Sequence, residues 1–185
     1  MFKFLNRYKN HSDEDLMELA TDGDDKAFSE LFDRYVSDLQ NFFFRRCGGD
    51  NDLAADLTQE LFLQVWTKRE SFDLKQNLRT WIFTIAYNQL KNLYKHQEYV
   101  EAYQTSGIID EAEEDDTPLK IDAELFDKAL QKELNKLTED EQTLFDLRFS
   151  EEMTVPEISK IMGVMEGTVK FRLHTLTVKL RNKLK

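Results

Sequence analysis

The side chains best suited to binding chemistry lie near the C-terminus, on a helix that the sequence predicts over residues 166–184. Its apolar stripe is formed by Val169, Leu173, Leu176 and Leu180. At about 100° per residue, Lys170, Phe171 and His174 point away from this stripe. An outward phenylalanine between cations suits the major groove of DNA, where the ring can contact a thymine methyl and the cations meet base edges or phosphates. The pattern therefore indicates contact with duplex DNA.

This helix is the second of a predicted pair. Thr154 and Glu157 form a capping-box pattern that starts the first helix, and Gly163 supplies the chain reversal between the two. Two helices joined by a short glycine-containing turn are the helix-turn-helix arrangement. Arg172 and Lys179 lie on the flanks of the second helix, where we expect phosphate contact. From this segment alone, the alternative is an ordinary helical hairpin with a basic face.

A second face with nucleic-acid chemistry lies on a helix predicted from about Leu78 to Gln97. Its apolar positions are Ile82, Ala86, Leu90 and Leu93. The opposite face presents Thr84, Tyr87, Asn88, Lys91 and Lys95, with Trp81 and Asn92 on its flank. Rings stack on bases while lysines follow phosphates, so this face suits single-stranded DNA. For Trp81, a place in the hydrophobic core is the alternative.

The charge of the chain is unevenly distributed. Its 185 residues carry a formal net charge of −11. Residues 61–97 carry six basic and two acidic side chains, residues 153–185 carry seven and two, and residues 98–152 carry five and 18. The two basic segments coincide with the two predicted DNA faces. The acidic remainder opposes indiscriminate DNA binding, because phosphate neutralisation supplies that affinity.

The elements that carry these faces are predicted to be helices throughout. Only two prolines and six glycines punctuate the chain, which is few for a β-sandwich or barrel. We expect an all-α protein with two small helical domains, at residues 12–98 and 121–185, the second containing the helix-turn-helix. Residues 99–120 are expected to form a flexible acidic linker, because residues 110–118 are short of apolar side chains and repel one another.

Several other classes of protein are excluded by what the sequence lacks. The lone Cys47 cannot form an internal disulfide, and a zinc site made of thiolates needs more cysteines. No apolar run approaches the roughly 20 residues of a membrane helix, and the N-terminus lacks a secretory signal. The sequence contains no glycine-rich phosphate loop, nucleophile elbow or His-Glu metal motif. We therefore expect a cytoplasmic protein that is not an enzyme and has no catalytic residues, cofactor, metal or membrane insertion.

Short motifs follow one another in a distinctive order along both helical blocks. The first block contains Ala27-Phe28 with Arg34-Tyr35, the run from Asp56 to Trp66, and then Phe72-Asp73, Trp81-Ile82 and Ile85-Ala86-Tyr87-Asn88. The second block contains Glu157-Ile158-Ser159, Met162-Gly163-Val164 and Gly167-Thr168-Val169-Lys170. In this order and spacing, the motifs resemble regions 2 and 4 of bacterial RNA polymerase sigma factors of the sigma-70 family, in the extracytoplasmic-function (ECF) group.

The resemblance implies a factor that binds core RNA polymerase and directs promoter-specific transcription initiation. Region 2 would capture melted minus-ten DNA, and region 4 would read the minus-thirty-five element. The implied polymerase-binding residues are Asp56, Gln59, Glu60 and Leu63. The implied minus-ten and melting residues are Asp73, Asn77, Trp81, Tyr87, Asn88, Lys91, Asn92 and Lys95. The implied minus-thirty-five residues are Thr168, Lys170, Phe171, Arg172, His174 and Thr175.

The resemblance also implies partners and a mechanism. The partners are promoter DNA, the beta-prime clamp and beta flap of core polymerase, and an anti-sigma factor. The loop from Asp73 to Leu78 would surround a flipped promoter base, whose extrusion costs a few kcal/mol that pocket contacts offset. Three positions depart from the family pattern: Phe171 stands where a small polar residue is usual, Asn92 replaces an Asp, and Thr175 stands where Arg is frequent.

Two alternatives from other functional classes remain at this point. A stand-alone helix-turn-helix transcriptional regulator would bind duplex promoter DNA without polymerase and would use the first block for dimerisation or sensing. A helical adaptor that binds only protein would agree with the net charge of −11, but it would leave the two basic faces unexplained.

Overall fold

The computed structural model describes residues 8–104 and 123–184, and all regular elements within them are helical. The all-α prediction is thus confirmed for the described part of the chain. The helices are α1 (Asp13–Thr21), α2 (Asp25–Arg46), α3 (Asn51–Lys68), α4 (Leu78–Gln104), α5 (Ala123–Leu134), α6 (Glu139–Phe145), α7 (Val155–Met162) and α8 (Glu166–Lys183). A 3-10 turn (Arg69–Ser71) follows α3, and a π-helical turn (Asp146–Ser150) follows α6.

Side-chain caps set where several of these helices begin. The Ser12 hydroxyl accepts a hydrogen bond from the Asp15 amide at 3.1 Å, and the Asp15 carboxylate accepts one from the Ser12 amide at 3.2 Å. Thr138 and Glu141 form the same reciprocal box at the start of α6. These bonds satisfy amide groups that have no partner within the helix. Residues three positions apart therefore fix the starts of α1 and α6.

Helices α1 to α4 form the first unit, in which α2 packs against α1 and α3, and α3 packs against α4. Its centre is aromatic, with Phe42, Phe43 and Phe83 fully buried. The rings of Phe42 and Phe83 lie 5.4 Å apart at a steep angle, a favourable edge-to-face geometry. The buried phenylalanines of α2 thus form the core that holds α4 in place.

Arg34 fastens the start of this unit to α2. Its guanidinium donates to the backbone carbonyls of Tyr8 and His11, each at 3.0 Å. It also pairs with the carboxylates of Asp13 at 2.7 Å and Glu30 at 3.1 Å. It donates to the Lys9 carbonyl as well, at 3.3 Å. Because a guanidinium offers five donors in a fixed plane, one side chain can satisfy three carbonyls and two carboxylates at once.

Helix α4 is longer than the sequence predicts, ending at Gln104 rather than near Gln97. Residues 95–99 are all exposed, so no apolar face remains from which a helical period can be recognised. Their Lys, Gln and Glu side chains nevertheless favour a helix. The predicted end of this helix was therefore wrong, and the helix enters the segment expected to begin the linker. The acidic run at residues 110–118 lies outside the described residues.

Helices α5 to α8 form the second unit, and this unit is docked on the first. Helix α7 packs against α4, and α6 packs against α2. One continuous hydrophobic core contains Leu31, Phe42 and Leu90 of the first unit together with Leu144 and Ile158 of the second. A smaller cluster holds α5 to α8 and consists of Leu134, Leu137, Leu176 and Leu180. The two predicted helical blocks are therefore packed together by apolar burial.

Candidate nucleic-acid interface

The helix-turn-helix is formed by α7, Gly163 and α8. The Glu157 carboxylate accepts a hydrogen bond from the Thr154 amide at 2.8 Å at the start of α7. Gly163 ends that helix with φ of 67°, the left-handed conformation that favours glycine. The Ser159 hydroxyl donates to the Val164 carbonyl at 2.6 Å and closes the turn. These contacts fix the angle at which α8 leaves α7.

Helix α8 presents the face that its periodicity predicts. Val169, Leu176 and Leu180 are buried and Leu173 is half-buried. Lys170, His174 and Phe171 lie outside, and 71% of Phe171 is exposed. Phe171 is thus exposed beside Lys170 and His174, as the periodicity of α8 predicts, and the base-contacting role of these side chains stays a prediction.

The remaining predicted minus-thirty-five residues are less freely available. Thr168 is half-buried, and the Thr175 hydroxyl donates back to the Phe171 carbonyl at 3.0 Å. The Arg172 guanidinium lies 3.8 Å from the Asp140 carboxylate at the start of α6. A cleft of about 290 Å³ opens here, and Phe171, Arg172 and Asp140 lie along it. The acidic first turn of α6 therefore faces one edge of the predicted reading surface.

The face of α4 predicted to bind single-stranded DNA is largely open. Asn88, Lys91, Asn92 and Lys95 are exposed along one side of the helix. Trp81 is half-buried, with its ring 5.1 Å from that of Phe72. Neither reading of Trp81 holds alone, because one side of the indole packs on Phe72 while part of it reaches solvent.

The loop before α4 has a structural role that the sequence reading missed. The Asn77 side-chain oxygen accepts hydrogen bonds from the amide and the hydroxyl of Thr80, at 2.8 and 3.0 Å. The Asp73 carboxylate accepts from the Lys75 amide at 3.0 Å. Asn77 therefore caps the helix that carries the predicted strand-binding face. Both Asp73 and Asn77 are nevertheless exposed to solvent.

Tyr87 departs from the predicted arrangement. It was expected on the open face of α4, yet only 6% of it is exposed. Its hydroxyl donates to the Asp140 carboxylate at 3.1 Å, and the Lys91 ammonium lies 5.6 Å from its ring centre. Burial, with a further contribution from Asp140, raises the pKa of Tyr87 to about 12. The periodicity of α4 was read correctly, but the docked second unit covers this position.

The predicted polymerase-binding residues share one exposed face of α3. Asp56, Gln59, Glu60 and Leu63 are all exposed, and 67% of Leu63 is in contact with solvent. The opposite face buries Leu57, Leu61 and Val65 in the core. The face thus presents one large exposed apolar side chain beside acidic and amide groups, and its polymerase-binding role stays a prediction.

Sequence reasoning missed a group of five charged residues between the two units. Arg45 and Arg46 end α2, Arg79 lies in the first turn of α4, and Asp146 and Glu151 belong to the π-helical turn and the residue after it. We call this group the arginine–carboxylate cluster. Arg45 and Glu151 lie 106 residues apart, so no local sequence pattern indicates that these charges meet.

The described part of the chain contains no group of three or more His, Cys, Asp or Glu side chains arranged to hold a metal ion. Among the described helices, none has the length and apolar character that crossing a membrane requires.

Comparison with known families and proteins agrees with the order of these elements. Residues 31–99 match the family model for sigma-70 region 2, and residues 127–175 match that for sigma-70 region 4. The chain is 30% identical over 171 residues to the RNA polymerase sigma factor CarQ of Myxococcus xanthus, covering 91% of this chain and 95% of that protein. It is 26% identical over 175 residues to the ECF RNA polymerase sigma factor SigW of Bacillus subtilis, covering 88% and 91%.

Two solved structures share the fold. CnrH, in complex with the cytosolic domain of CnrY, matches with a TM-score of 0.68 at 22% identity, over 93% of this chain and 96% of that one. The sigma factor RpoE from Bartonella quintana, in complex with the anti-sigma factor NepR, matches with a TM-score of 0.66 at 24% identity, over 86% and 97%. With both region models matched in order along its helices, the chain belongs to the sigma-70 family of RNA polymerase sigma factors, in the ECF group.

Proposed function

We propose that this sigma factor holds the melted minus-ten strand on the exposed face of α4 and reads the minus-thirty-five duplex with α8. As an ECF sigma factor, it binds core RNA polymerase and directs promoter-specific transcription initiation. In this proposal, residues 12–98 and 121–185 are the two functional parts. The protein acts in the cytoplasm and performs no catalytic step of its own.

The observation that carries the proposal is the exposed Phe171 between Lys170 and His174 on the second helix of a helix-turn-helix. Moving an exposed aromatic side chain from water into a contact with a thymine methyl stabilises the complex. Lys170 and His174 supply hydrogen-bond donors at the same depth, and Arg172 at the flank can reach a phosphate. Thr168 and Thr175 border this face and complete the proposed minus-thirty-five set.

The proposed minus-ten site combines the loop before α4 with the face of α4. Asp73 and Asn77 border the position of a flipped base, and Trp81 offers a partly exposed ring for stacking. Asn88 and Asn92 can hydrogen-bond to base edges, while Lys91 and Lys95 follow the backbone phosphates. Tyr87 joins this set when the second unit moves away from it.

Two protein partners are part of the proposal. The exposed face of α3, with Leu63 beside Asp56, Gln59 and Glu60, binds the polymerase beta-prime clamp, and the second unit binds the beta flap. An anti-sigma factor is the other partner, because the compared RpoE structure, which shares this fold, holds an anti-sigma factor. Such a partner would keep the chain away from polymerase until a signal releases it.

Run-off transcription tests the proposal. Purified core polymerase is incubated with a pool of promoter fragments, with and without this protein. We expect new discrete start sites only when the protein is present, and alignment of those promoters should give two conserved elements. Transcripts that do not change, together with tight duplex binding in the absence of polymerase, would instead support a stand-alone regulator.

Variants assign the two faces in the same assay. Phe171→Ala should weaken transcription from promoters that depend on the minus-thirty-five element, whereas Thr177→Ala, an exposed change on the same helix, should not. A double substitution of Asn88 and Lys91 by alanine should reduce strand opening, detected by permanganate reactivity of unpaired thymines. Normal opening by that double variant would exclude α4 as the strand-binding helix.

A further inference from the structure

We propose that the docked arrangement is autoinhibitory: the second unit covers part of the strand-binding face of α4, and the arginine–carboxylate cluster holds it there. The proposal rests on the proposed role of α4 in binding the minus-ten strand. It adds that the acidic start of α6 competes with that strand for the face of α4.

The arginine–carboxylate cluster joins the units by close ion pairs. The Glu151 carboxylate lies 2.8 Å from the Arg45 guanidinium and 3.0 Å from that of Arg79. Arg79 also donates to the Glu151 backbone carbonyl at 2.8 Å. Asp146 lies 2.8 Å from Arg46 and 3.2 Å from Arg45. Every cation of the cluster belongs to the first unit, and both anions belong to the second.

Burial makes this cluster selective for one arrangement of the units. Asp146 is 2% exposed and Glu151 is 6% exposed. Carboxylates this deep are tolerated only where cations and donors replace the lost water, and these partners exist only in the docked form. A shift of either unit would leave buried charges unpaired. The cluster therefore fixes the register of docking, while the shared apolar core supplies the attraction.

The docked position places acidic groups against the strand-binding face. Asp140 accepts the hydrogen bond from Tyr87. A cleft of about 330 Å³ lies between the helices, with Lys91 and Lys95 on the α4 side and Glu139 and Asp140 on the α6 side. Carboxylates at this point repel a phosphate backbone that would run along the same lysines. A DNA strand can therefore contact the complete face only after α6 has left it.

The same carboxylate acts on the other DNA-reading helix. Asp140 lies 3.8 Å from Arg172, and Glu141 lies 3.2 Å from Lys179. Both of these pairs lie within the second unit and persist when it undocks, so undocking releases Tyr87 and the lysine row on α4 and leaves the cations of α8 paired. Because DNA binds the open form better than the docked form, DNA binding and opening are thermodynamically linked.

The test uses the full chain and removes the anions of the cluster without touching either DNA face. Asp146→Asn and Glu151→Gln are combined in one variant, and Glu152→Gln, an exposed neighbour, is the matched control. The probe is a fluorescein-labelled single-stranded DNA of mixed sequence and about 15 nucleotides. Opening is measured as the radius of gyration by small-angle X-ray scattering, and binding as fluorescence anisotropy.

We expect the double variant to have a larger radius of gyration and to bind the probe about tenfold more tightly than the wild type, while the control behaves as the wild type. An unchanged radius would overturn the role of the cluster. A larger radius without tighter binding would overturn the masking of α4. Far-ultraviolet circular dichroism should show wild-type helix content in the double variant, which separates opening from misfolding.

Run-off transcription distinguishes failure of this inference from failure of the proposed function. If the double variant still directs promoter-specific transcription but binds the probe no better than the wild type, only autoinhibition is wrong. If it opens and neither binds the probe nor supports transcription, the role proposed for α4 fails as well.

Discussion

The Tyr87 hydroxyl donates a hydrogen bond to the Asp140 carboxylate at 3.1 Å, joining α4 to α6 across 53 residues of sequence. The same carboxylate lies 3.8 Å from Arg172 on α8. One acidic side chain thus contacts both helices that we propose to bind DNA. Changes at this point should report on the docking of the two units as well as on DNA binding.

The ionisation of Tyr87 should be a spectroscopic signal of docking. Burial raises the pKa of Tyr87 from 10.0 to about 12. Since the docked form holds the phenolic proton more tightly, this contribution to docking is fully present below about pH 10 and is lost as the pH rises through 12. The near-ultraviolet absorbance of the wild type is titrated with alkali, and the curve of the Tyr87→Phe variant is subtracted from it. The difference should show a tyrosine ionisation near pH 12. In the double variant that carries Asp146→Asn and Glu151→Gln, the midpoint of this transition should move towards pH 10. A Tyr87 that titrates normally in the wild type would contradict the buried contact.

Phe171 should read a thymine methyl group. Replacing the contacted thymine by deoxyuridine in a minus-thirty-five duplex removes one methyl, worth about 0.8 kcal/mol or roughly fourfold in affinity. The loss of affinity should appear with wild-type holoenzyme and vanish with Phe171→Ala, because the alanine variant has no ring to contact the thymine methyl. Gel-shift titrations with the two duplexes and the two proteins form a complete double-mutant cycle. Equal sensitivity of both proteins to the missing methyl would exclude this contact. Thr177→Ala serves as the control on the same helix.

Leu63 should be important for assembly with core polymerase and unimportant for folding. Because 67% of it is exposed, Leu63→Asp should leave the thermal unfolding midpoint almost unchanged. Placing a carboxylate at the centre of an apolar contact should weaken the binding of core polymerase by at least about tenfold. Surface plasmon resonance with immobilised core enzyme measures this effect. Gln40→Asp, which adds the same charge to an exposed position of α2, is the comparison. Equal affinities for the two variants would remove Leu63 from the interface.

Arg34 should contribute to the stability of the first unit and not to DNA binding. Arg34→Ala removes charged hydrogen bonds to three carbonyls and two carboxylates. We expect a loss of about 2 kcal/mol in the free energy of unfolding, measured by urea titration. Arg34→Lys keeps the charge but lacks the planar fork, so it should recover only part of the loss. Full recovery by lysine would show that charge alone is responsible.

Local chemistry predicted most of the helices. The caps at Ser12 and Thr138 and the left-handed Gly163 each depend on residues within four positions of one another, so the sequence contains the whole interaction. The exposed face of α8 follows from the same local logic, because a stripe that buries Val169 and Leu176 must leave Phe171 outside. The later turns of α4 were missed because their solvated side chains carry no apolar period.

The tertiary contacts between the units could not be predicted in this way. Tyr87 lies on the face that periodicity leaves open, and only the docking of α6 makes it buried. Arg79 and Glu151 lie 72 residues apart in sequence, so no local sequence pattern indicates that they pair. The predicted DNA-binding and polymerase-binding roles, including those of Asp73 and Asn92, stay predictions, and the proposed variants test those of Phe171, Asn88, Lys91 and Leu63.

In the proposed function, the exposed face of α3 sets the order in which the chain meets core polymerase and promoter DNA. Leu63 and its neighbours are accessible in the same conformation that buries Tyr87, so an encounter with core polymerase needs no preceding rearrangement. Its rate constant should therefore lie in the ordinary range for two proteins, about 10⁵ to 10⁷ M⁻¹s⁻¹. Promoter capture has to wait for the helices to part. Such a chain binds core polymerase before it binds promoter DNA, and it seldom occupies a promoter in the absence of polymerase.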